Sequence, residues 1–283
     1  MINIIGVVIL YQPDTAILFD NINTYLPHVN KLLIYDNSEA LSPALEKLVH
    51  EQQSPRIEYV FFGRNEGISR RLNMAADYAM DNGYDYLLMM DQDSSFADGV
   101  LPAYLEKIKA NTIAKVAQFG VNCQPEHTPV EKEPKSVISL ITSGSILDLN
   151  LFPQVGYFDE KLFIDFVDLE FSYRAVEKGF INLLFTDILL EHRIGYIKMG
   201  RSLKNFKLTP RLLHSPVRVY YIVRNGLYLL FKVSYLKGAA RADIKRSMKI
   251  IKNDLLYHED PLGVYAGVLM GAIDFLKNKM GKK

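Results

Sequence analysis

The chain has 283 residues, with 33 lysines and arginines against 32 aspartates and glutamates, for a formal charge of +1. So even a balance provides neither the field of a nucleic-acid binder nor an acidic tail. A hydrophobic fraction of 49%, with polar breaks inside every apolar run, predicts a folded globular protein without a transmembrane span. The single cysteine, Cys123, excludes a disulfide framework or a cysteine-rich zinc knuckle. With no signal-peptide pattern ahead of the first apolar run, the expected location is the cytoplasm, and a peripheral contact with the cytoplasmic face of the inner membrane stays open.

In chain order, the apolar run over 4–10 predicts a first strand that ends at Tyr11, Gln12 and Pro13. A crossover helix follows over 17–25, then a second strand over 31–35 with Asp36, Asn37 and Ser38 at its carboxyl end. A third strand over 57–62 leads into a turn containing Asn65 and Gly67. A helix over 69–81 comes next, with Ser69 as N-cap and Asn82-Gly83 as its stop. The wholly apolar run over 86–90 reads as a central strand, and Asp91, Gln92 and Asp93 stand at its end. Further on, the pattern predicts a helix over 101–111, a strand over 116–121 and an exposed loop or hairpin over 124–136. A β segment over 137–142 precedes Ser143, Gly144 and Ser145, with another strand running to Leu149. A helix over 165–178, stopped by Gly179, and a last strand over 181–190 complete this half. Beyond about residue 200 the chain reads as basic and helical: Ser215-Pro216 opens a helix to 232, and further helices cover 240–256 and 262–280. Short strands alternating with helices predict an α/β fold on a mostly parallel sheet, as a domain over 1–200 with a helical region over 201–283.

The acidic strings carry the chemistry. Asp91 and Asp93 follow a parallel strand, whose carboxyl end is where such sheets bind ligands, and their oxygens suit Mg2+ or Mn2+ beside a phosphate. Asp165, Asp168 and Glu170 form a second group, followed by Arg174. On a helix, Asp165 and Asp168 share a face while Glu170 pairs with Arg174 four residues on. One of these carboxylates suits a base for an acceptor hydroxyl; surface charge plus a helix salt bridge accounts for them as well. His192, after the final strand, fits a cation ligand or a strand-end hydrogen bond. Ser143-Gly144-Ser145 fits either an acceptor contact or a glycine turn between strands.

The order and spacing of these strings resemble glycosyltransferase family 2, the inverting GT-A transferases. Within that family they look like the bacterial rhamnosyltransferases that use dTDP-L-rhamnose to build surface polysaccharide. The resemblance rests on Val7-Val8-Ile9-Leu10-Tyr11, Asp36-Asn37-Ser38, Asn65-Glu66-Gly67-Ile68 with Asn73, Asp91-Gln92-Asp93 and Ser143-Gly144-Ser145. It resumes at 156–160, at 163–170, and at Arg174, Gly179 and His192-Arg193-Ile194-Gly195. It implies a metal-dependent transfer of L-rhamnose to a surface-polysaccharide or lipid-linked glycan hydroxyl. Tyr11, Asp36, Asn65, Gly67, Asn73 and Asp91 would then serve the donor nucleotide, and Asp93, Asp91 and His192 a Mg2+ or Mn2+ ion. Asp168 would be the catalytic base, with Asp165 orienting base or acceptor beside Ser143 and Gly144. Val167 replaces the acidic residue that usually precedes the base in the family, a change that fits the Asp-Phe-Val-Asp form of the rhamnosyl branch.

In the helical end, Arg218, Tyr221, Arg224 and Asn225 share a broad face that suits closing over the donor diphosphate or holding an anionic lipid acceptor, with Arg224 and Asn225 the main candidates; helix packing is the competing account. The lysines at 277, 279, 282 and 283 flank an apolar helix that suits an anionic membrane, the catalytic domain or another subunit. A nucleotidyltransferase or pyrophosphorylase and a noncatalytic nucleotide-sugar binding protein are the competing functions.

Overall fold

Strands β1 (Ile4–Leu10), β2 (Lys31–Asp36) and β4 (Tyr86–Asp91) are nearly continuous aliphatic runs, and in the computed structural model they are buried along almost their whole length. Burial on both faces is what a parallel sheet covered by crossover helices requires. The structure describes residues 2–123, 128–192, 196–201, 206–231 and 237–283. The sheet is completed by β3 (Ile57–Phe61), β6 (Val116–Asn122), β7 (Lys135–Val137), β8 (Ser145–Asp148) and β9 (Ile181–Leu189), in the order β3-β2-β1-β4-β8-β6-β9-β7. β1 pairs in parallel with both β2 and β4, and β6 pairs in parallel with β9. β8 runs antiparallel between β4 and β6, and β7 lies antiparallel on the β9 edge. A two-residue pairing, β5 (Ser94–Ser95) with β10 (Glu191–His192), stands apart from this sheet.

The crossovers are α1 (Thr15–Asn23), α2 (Pro43–Glu51), α3 (Ile68–Asp81), α4 (Val100–Lys109), the single turn α5 (Phe152–Val155) and α6 (Val167–Glu177). Chain contacts divide the protein into two units, Met1–Glu160 with Asp168–His192, and Lys161–Val167 with Arg193–Lys283. The second unit contains a hairpin, β11 (Tyr196–Arg201) against β12 (Leu208–Leu213), and the helices α7 (Pro216–Phe231), α8 (Lys237–Tyr257) and α9 (Pro261–Leu276). The architecture is therefore the expected α/β sheet with a carboxyl-terminal helical extension. α9 packs on α7 through Gly267 and Gly271, where a Cβ would stand only 2.5 Å from the Pro216 carbonyl oxygen and 2.6 Å from that of Tyr220.

Several local expectations are revised. α1 begins at Thr15 because the Asp14 side chain caps it by accepting from Ala16 N at 3.0 Å. α2, unforeseen, is opened by Ser42 and Pro43, and Leu45 is its only fully buried residue. Gly67, not Ser69, occupies the N-cap of α3, with φ +88°, and Ser69 is buried within the first turn. The β segment expected over 137–142 stops at Val137; Leu140 turns inward, and its N–H donates to Ser172 Oγ at 3.1 Å instead of to a strand. α6 starts at Val167 because Asp165 and Phe166 adopt left-handed backbone at φ +62° and +67°. Asp165 and Asp168 therefore do not share a helix face. The hairpin β11–β12 occupies part of the stretch read as helical. Residues 124–127 of the predicted loop, and 193–195 and 232, lie outside the described residues.

The pairing of Glu170 with Arg174 is present, the carboxylate buried and the guanidinium half-buried. Arg174 Nε and Nη2 donate to the two Glu170 carboxylate oxygens at 2.9 and 2.8 Å, and Nη1 and Nη2 also reach the carbonyls of Val155, Gly156 and Tyr157. Removing the guanidinium strips a buried carboxylate of its bidentate partner, a loss of about 3–5 kcal/mol for such pairs. Arg174→Ala is accordingly expected to lower unfolding stability by that amount in urea denaturation; an unchanged midpoint would contradict it.

Candidate active site

The chain leaves β1 toward β2 on one side of the sheet and reaches β4 on the other, so the carboxyl ends of β1 and β4 flank the point where strand order reverses. Such a switch point opens a crevice for ligands. Its contents follow from what each strand delivers there. Asp91 is the last residue of β4 and pairs with Ile9 of β1, and Asp93 lies two residues on. The β5–β10 pairing sets His192 opposite Ser94, so His192 joins the two aspartates although it is about one hundred residues away in sequence. Ligand atoms of Asp91, Asp93 and His192 all lie within 4.8 Å of one another, and all three residues are partly exposed. Two carboxylate oxygens and an imidazole nitrogen form a donor set that suits a divalent cation such as Mn2+. His192 Nδ1 is 3.5 Å from Asp93 Oδ1 and 2.7 Å from Ser94 Oγ, so the hydroxyl fixes the ring's orientation.

Gln92, the residue between the aspartates, holds this corner in place. Its Oε1 accepts from Tyr11 N at 2.8 Å, its Nε2 donates to Tyr11 O at 3.3 Å, and its carbonyl accepts from Asn21 Nδ2 at 3.1 Å. The Asp91 N–H donates to Ser143 Oγ at 3.2 Å, and Gly144 N–H bonds to Met89 O at 2.9 Å. Gly144 has φ +75°, and a Cβ there would meet Val121 at 2.6 Å, so the turn needs glycine. Ser143 is thus buried as a brace for the aspartate loop. Gln92 and Ser94 were not singled out from the sequence; the only signal was their place within and beside the Asp-x-Asp string.

The second corner forms at the end of β2. Asp36 is fully buried, accepting from Ser38 N at 2.9 Å and from the Tyr59 hydroxyl at 2.9 Å. Burial first, and then Asp36, hold the Tyr59 phenol well above its usual range and keep it protonated. Asn37 is a hub. Its Nδ2 donates to Asn65 Oδ1 at 2.8 Å, and its Oδ1 accepts from Glu66 N and Arg71 Nε at 3.1 and 2.9 Å. Arg71, itself buried, meets Glu66 at 3.0 Å and lies 3.5 Å from the centre of the Phe62 ring. Asn65, Glu66 and Gly67 are thereby fixed at the start of α3, with Asn65 Oδ1 also accepting from Gly67 N at 3.0 Å. Asn73 is buried and bonded to the backbone of Phe158 in both directions, at 2.9 and 3.0 Å, which ties α3 to the 157–160 loop. Tyr11 is the exposed ring of this set.

Asp168 sits in the first turn of α6, its Oδ1 accepting from Leu169 N at 2.9 Å. Asp165, Arg224 and Asn225 belong to the second unit. There Arg218 pairs with Asp165 Oδ1 at 3.0 Å, and Asn225 Nδ2 donates to the carbonyls of Ile164 and Asp165. Arg224 is buried between Tyr220 and Tyr221 and donates to the Gly281 carbonyl at 2.8 Å. In this structure Arg224 and Asn225 therefore bind their own unit, Asn225 stabilising the left-handed turn at 165–166.

The sheet order with an acidic cation corner at its switch point defines an α/β sugar-nucleotide transferase architecture. The chain belongs to glycosyl transferase family 2, whose family model matches residues 18–164. That stretch contains Asp36, Asn65, Asp91, Asp93 and Ser143. A curated relative, the dTDP-rhamnosyl transferase RfbF of Shigella flexneri, is 27% identical over 248 residues, covering 81% of this chain and 80% of its own. Among solved structures, the mannosyltransferase of Pyrobaculum calidifontis in complex with GDP-Man and Mn2+ superposes with a TM-score of 0.60 at 11% identity, over 98% of this chain and 88% of that one. TarS 1-349 of S. aureus in complex with UDP-GlcNAc gives 0.59 at 12% identity, over 98% and 81%. At such identities the likeness establishes the GT-A fold. Among the described residues, no helix is long and apolar enough to cross a membrane.

Cys123, just past the end of β6, is partly buried; that burial, and secondarily the Asp91 carboxylate, push its thiol up to about 12. The thiolate is the reactive form, so alkylation at about pH 8 is expected to be on the order of 10³-fold slower in the native protein than in the unfolded chain. Asp91→Asn should speed it only modestly, because burial is the larger cause. Equal native and unfolded rates by mass spectrometry would contradict the burial of this residue.

Proposed function

We propose that this glycosyltransferase transfers L-rhamnose from dTDP-L-rhamnose, with inversion, to a hydroxyl of a surface-polysaccharide or lipid-linked glycan acceptor. The observation that carries the transfer chemistry is the convergence of Asp91, Asp93 and His192 at the sheet's switch point. The name of the Shigella relative supports the choice of donor. Asp91, Asp93 and His192 would hold a Mn2+ or Mg2+ ion, which when bound supplies positive charge against the donor diphosphate. Tyr11 offers an exposed ring, and the Asn65–Gly67 turn presents backbone at the start of α3, a setting suited to a nucleotide. Asp36 and Asn37 act behind it, shaping the pocket through Tyr59, Asn65 and Arg71.

Asp168 takes the proton from the acceptor hydroxyl. That oxygen then forms its bond to the anomeric carbon as the bond to the diphosphate breaks, turning a β-linked donor into an α-linked product and releasing nucleoside diphosphate. No covalent enzyme intermediate is required. The Glu170–Arg174 pair, its carboxylate buried, fixes the first turns of α6 and so the position of Asp168. Asp165, paired with Arg218, shapes the turn that leads into the base. Asn225 contributes by holding the 165–166 turn, and Arg224 by bonding Asn225 and the Gly281 carbonyl within the same unit.

A donor screen with purified protein, a divalent cation and lipid-linked glycans tests the reading. Product mass is expected to show addition of a deoxyhexose, with coupling constants of an α linkage and release of nucleoside diphosphate. Pyrophosphate release, or turnover confined to other sugars, would overturn it. Asp91→Ala and Asp93→Ala are expected to weaken metal-dependent turnover, Asp93→Ala the more. In single turnover at saturating substrates, Asp168→Asn is expected to slow transfer by at least about 10²-fold, with a much smaller change in donor binding. Asp165→Asn should retain more activity. Near-normal transfer by Asp168→Asn would move the base elsewhere.

A further inference from the structure

We propose that the exposed face of α9, together with the basic residues that follow it, is a docking surface for an anionic lipid bilayer. The two faces of α9 differ sharply. Gly267 and Gly271, with buried Val264, press against α7, where a side chain at either glycine would meet backbone. Leu262, Tyr265, Leu269, Ile273 and Leu276 recur every three or four residues on the opposite side, and Leu262 and Leu276 are each 80% exposed. Asp274 is the only charged residue between 261 and 276, and it turns inward to accept the Tyr220 hydroxyl at 2.9 Å. The outward row thus carries no charge along the helix.

Cations are abundant in the sequence on either side of α9, although Glu259 and Asp260 precede it directly. Lys277, Lys279 and Lys282 follow directly and are exposed, while Lys283 folds back over the Tyr220 ring at 4.9 Å. On α8, Arg241, Lys245, Arg246, Lys249 and Lys252 are exposed, whereas its two aspartates, Asp243 and Asp254, are half-buried and buried. Residues 237–283 hold ten lysines and arginines against five aspartates and glutamates, an excess of five in a chain whose overall excess is one. Sixteen residues of helix extend about 24 Å, too short to span a bilayer but suited to lying in its surface with the apolar row down. Apolar side chains entering the acyl boundary while lysines meet anionic headgroups satisfies both features at once. A second copy of the chain would cover the row but would bring a second set of excess positive charges beside the first, which disfavours it. A transferase held this way would meet a lipid-linked acceptor by diffusion in two dimensions.

The test is sedimentation of the full-length protein with phosphatidylcholine vesicles, with and without about 30 mol% phosphatidylglycerol, at low and high salt. The wild type is expected to bind the anionic vesicles, and to release at high salt. Leu269→Glu with Ile273→Glu, and separately Lys277→Gln with Lys279→Gln and Lys282→Gln, are each expected to reduce partitioning at least about tenfold. All the substituted side chains are exposed; if the glutamate variant fails to fold by circular dichroism, the glutamine variant alone decides. Absence of wild-type binding, undiminished binding by the folded variants, or a stable dimer that the glutamate variant dissolves while vesicle binding persists would overturn the proposal. The assay needs no donor, acceptor or cation, so its failure leaves the transfer reading standing.

Discussion

Two carboxylates held side by side at the end of one strand repel each other, and the structure keeps them there because the surrounding backbone is over-determined. Asp91 and Asp93 are fixed from three directions: Gln92 is bonded across to the end of β1, Ser143 accepts the Asp91 N–H, and the β5–β10 pairing brings in His192. None of these restraints is itself acidic. Each belongs to a different stretch of chain, so the corner exists only once the mixed sheet and the β5–β10 pairing have formed. A corner assembled in this way suits a cation, whose charge would relieve the repulsion the fold has imposed.

The same logic extends to the end of β2 and to α6. Asn37 and Arg71 form a buried polar network in which nearly every donor is matched, so the Asn65–Gly67 turn is set by hydrogen bonds and not by its own flexibility. On α6 the bidentate Glu170–Arg174 pair, with three loop carbonyls gathered by the same guanidinium, makes the helix start a rigid mount for Asp168. The left-handed pair Asp165–Phe166 is a strained entry into that helix, and Arg218 and Asn225 hold it.

Much of this was legible in the sequence where the signal is local. Apolar runs of strand length ending in Asp36 or Asp91 mark both the sheet and the corners of the site, and a carboxylate four residues before Arg174 marks the ion pair. What escaped depends on distant partners. Gln92 bonds to a residue 81 positions away, and Ser94 to one 98 positions away, so nothing nearby in the chain signals either role. The helix pattern ran back through Asp165 because neither it nor Phe166 is glycine, and only tertiary hydrogen bonds select their backbone. α2 was not hidden: Ser42-Pro43 opens it, and Leu45, Leu48 and Val49 recur at helical spacing over its nine residues. The hairpin beyond residue 196 carries a proline and several charges and does not alternate cleanly, which hid it among the helices.

The central claim is that Asp91, Asp93 and His192 together form one cation site. The most direct measurement is titration of Mn2+ into the protein alone, following free Mn2+ by electron paramagnetic resonance. The account predicts saturable uptake approaching a single ion per chain, abolished when Asp91 and Asp93 are both changed to Asn in a protein that still folds. Equal uptake by the wild type and that double variant would contradict it.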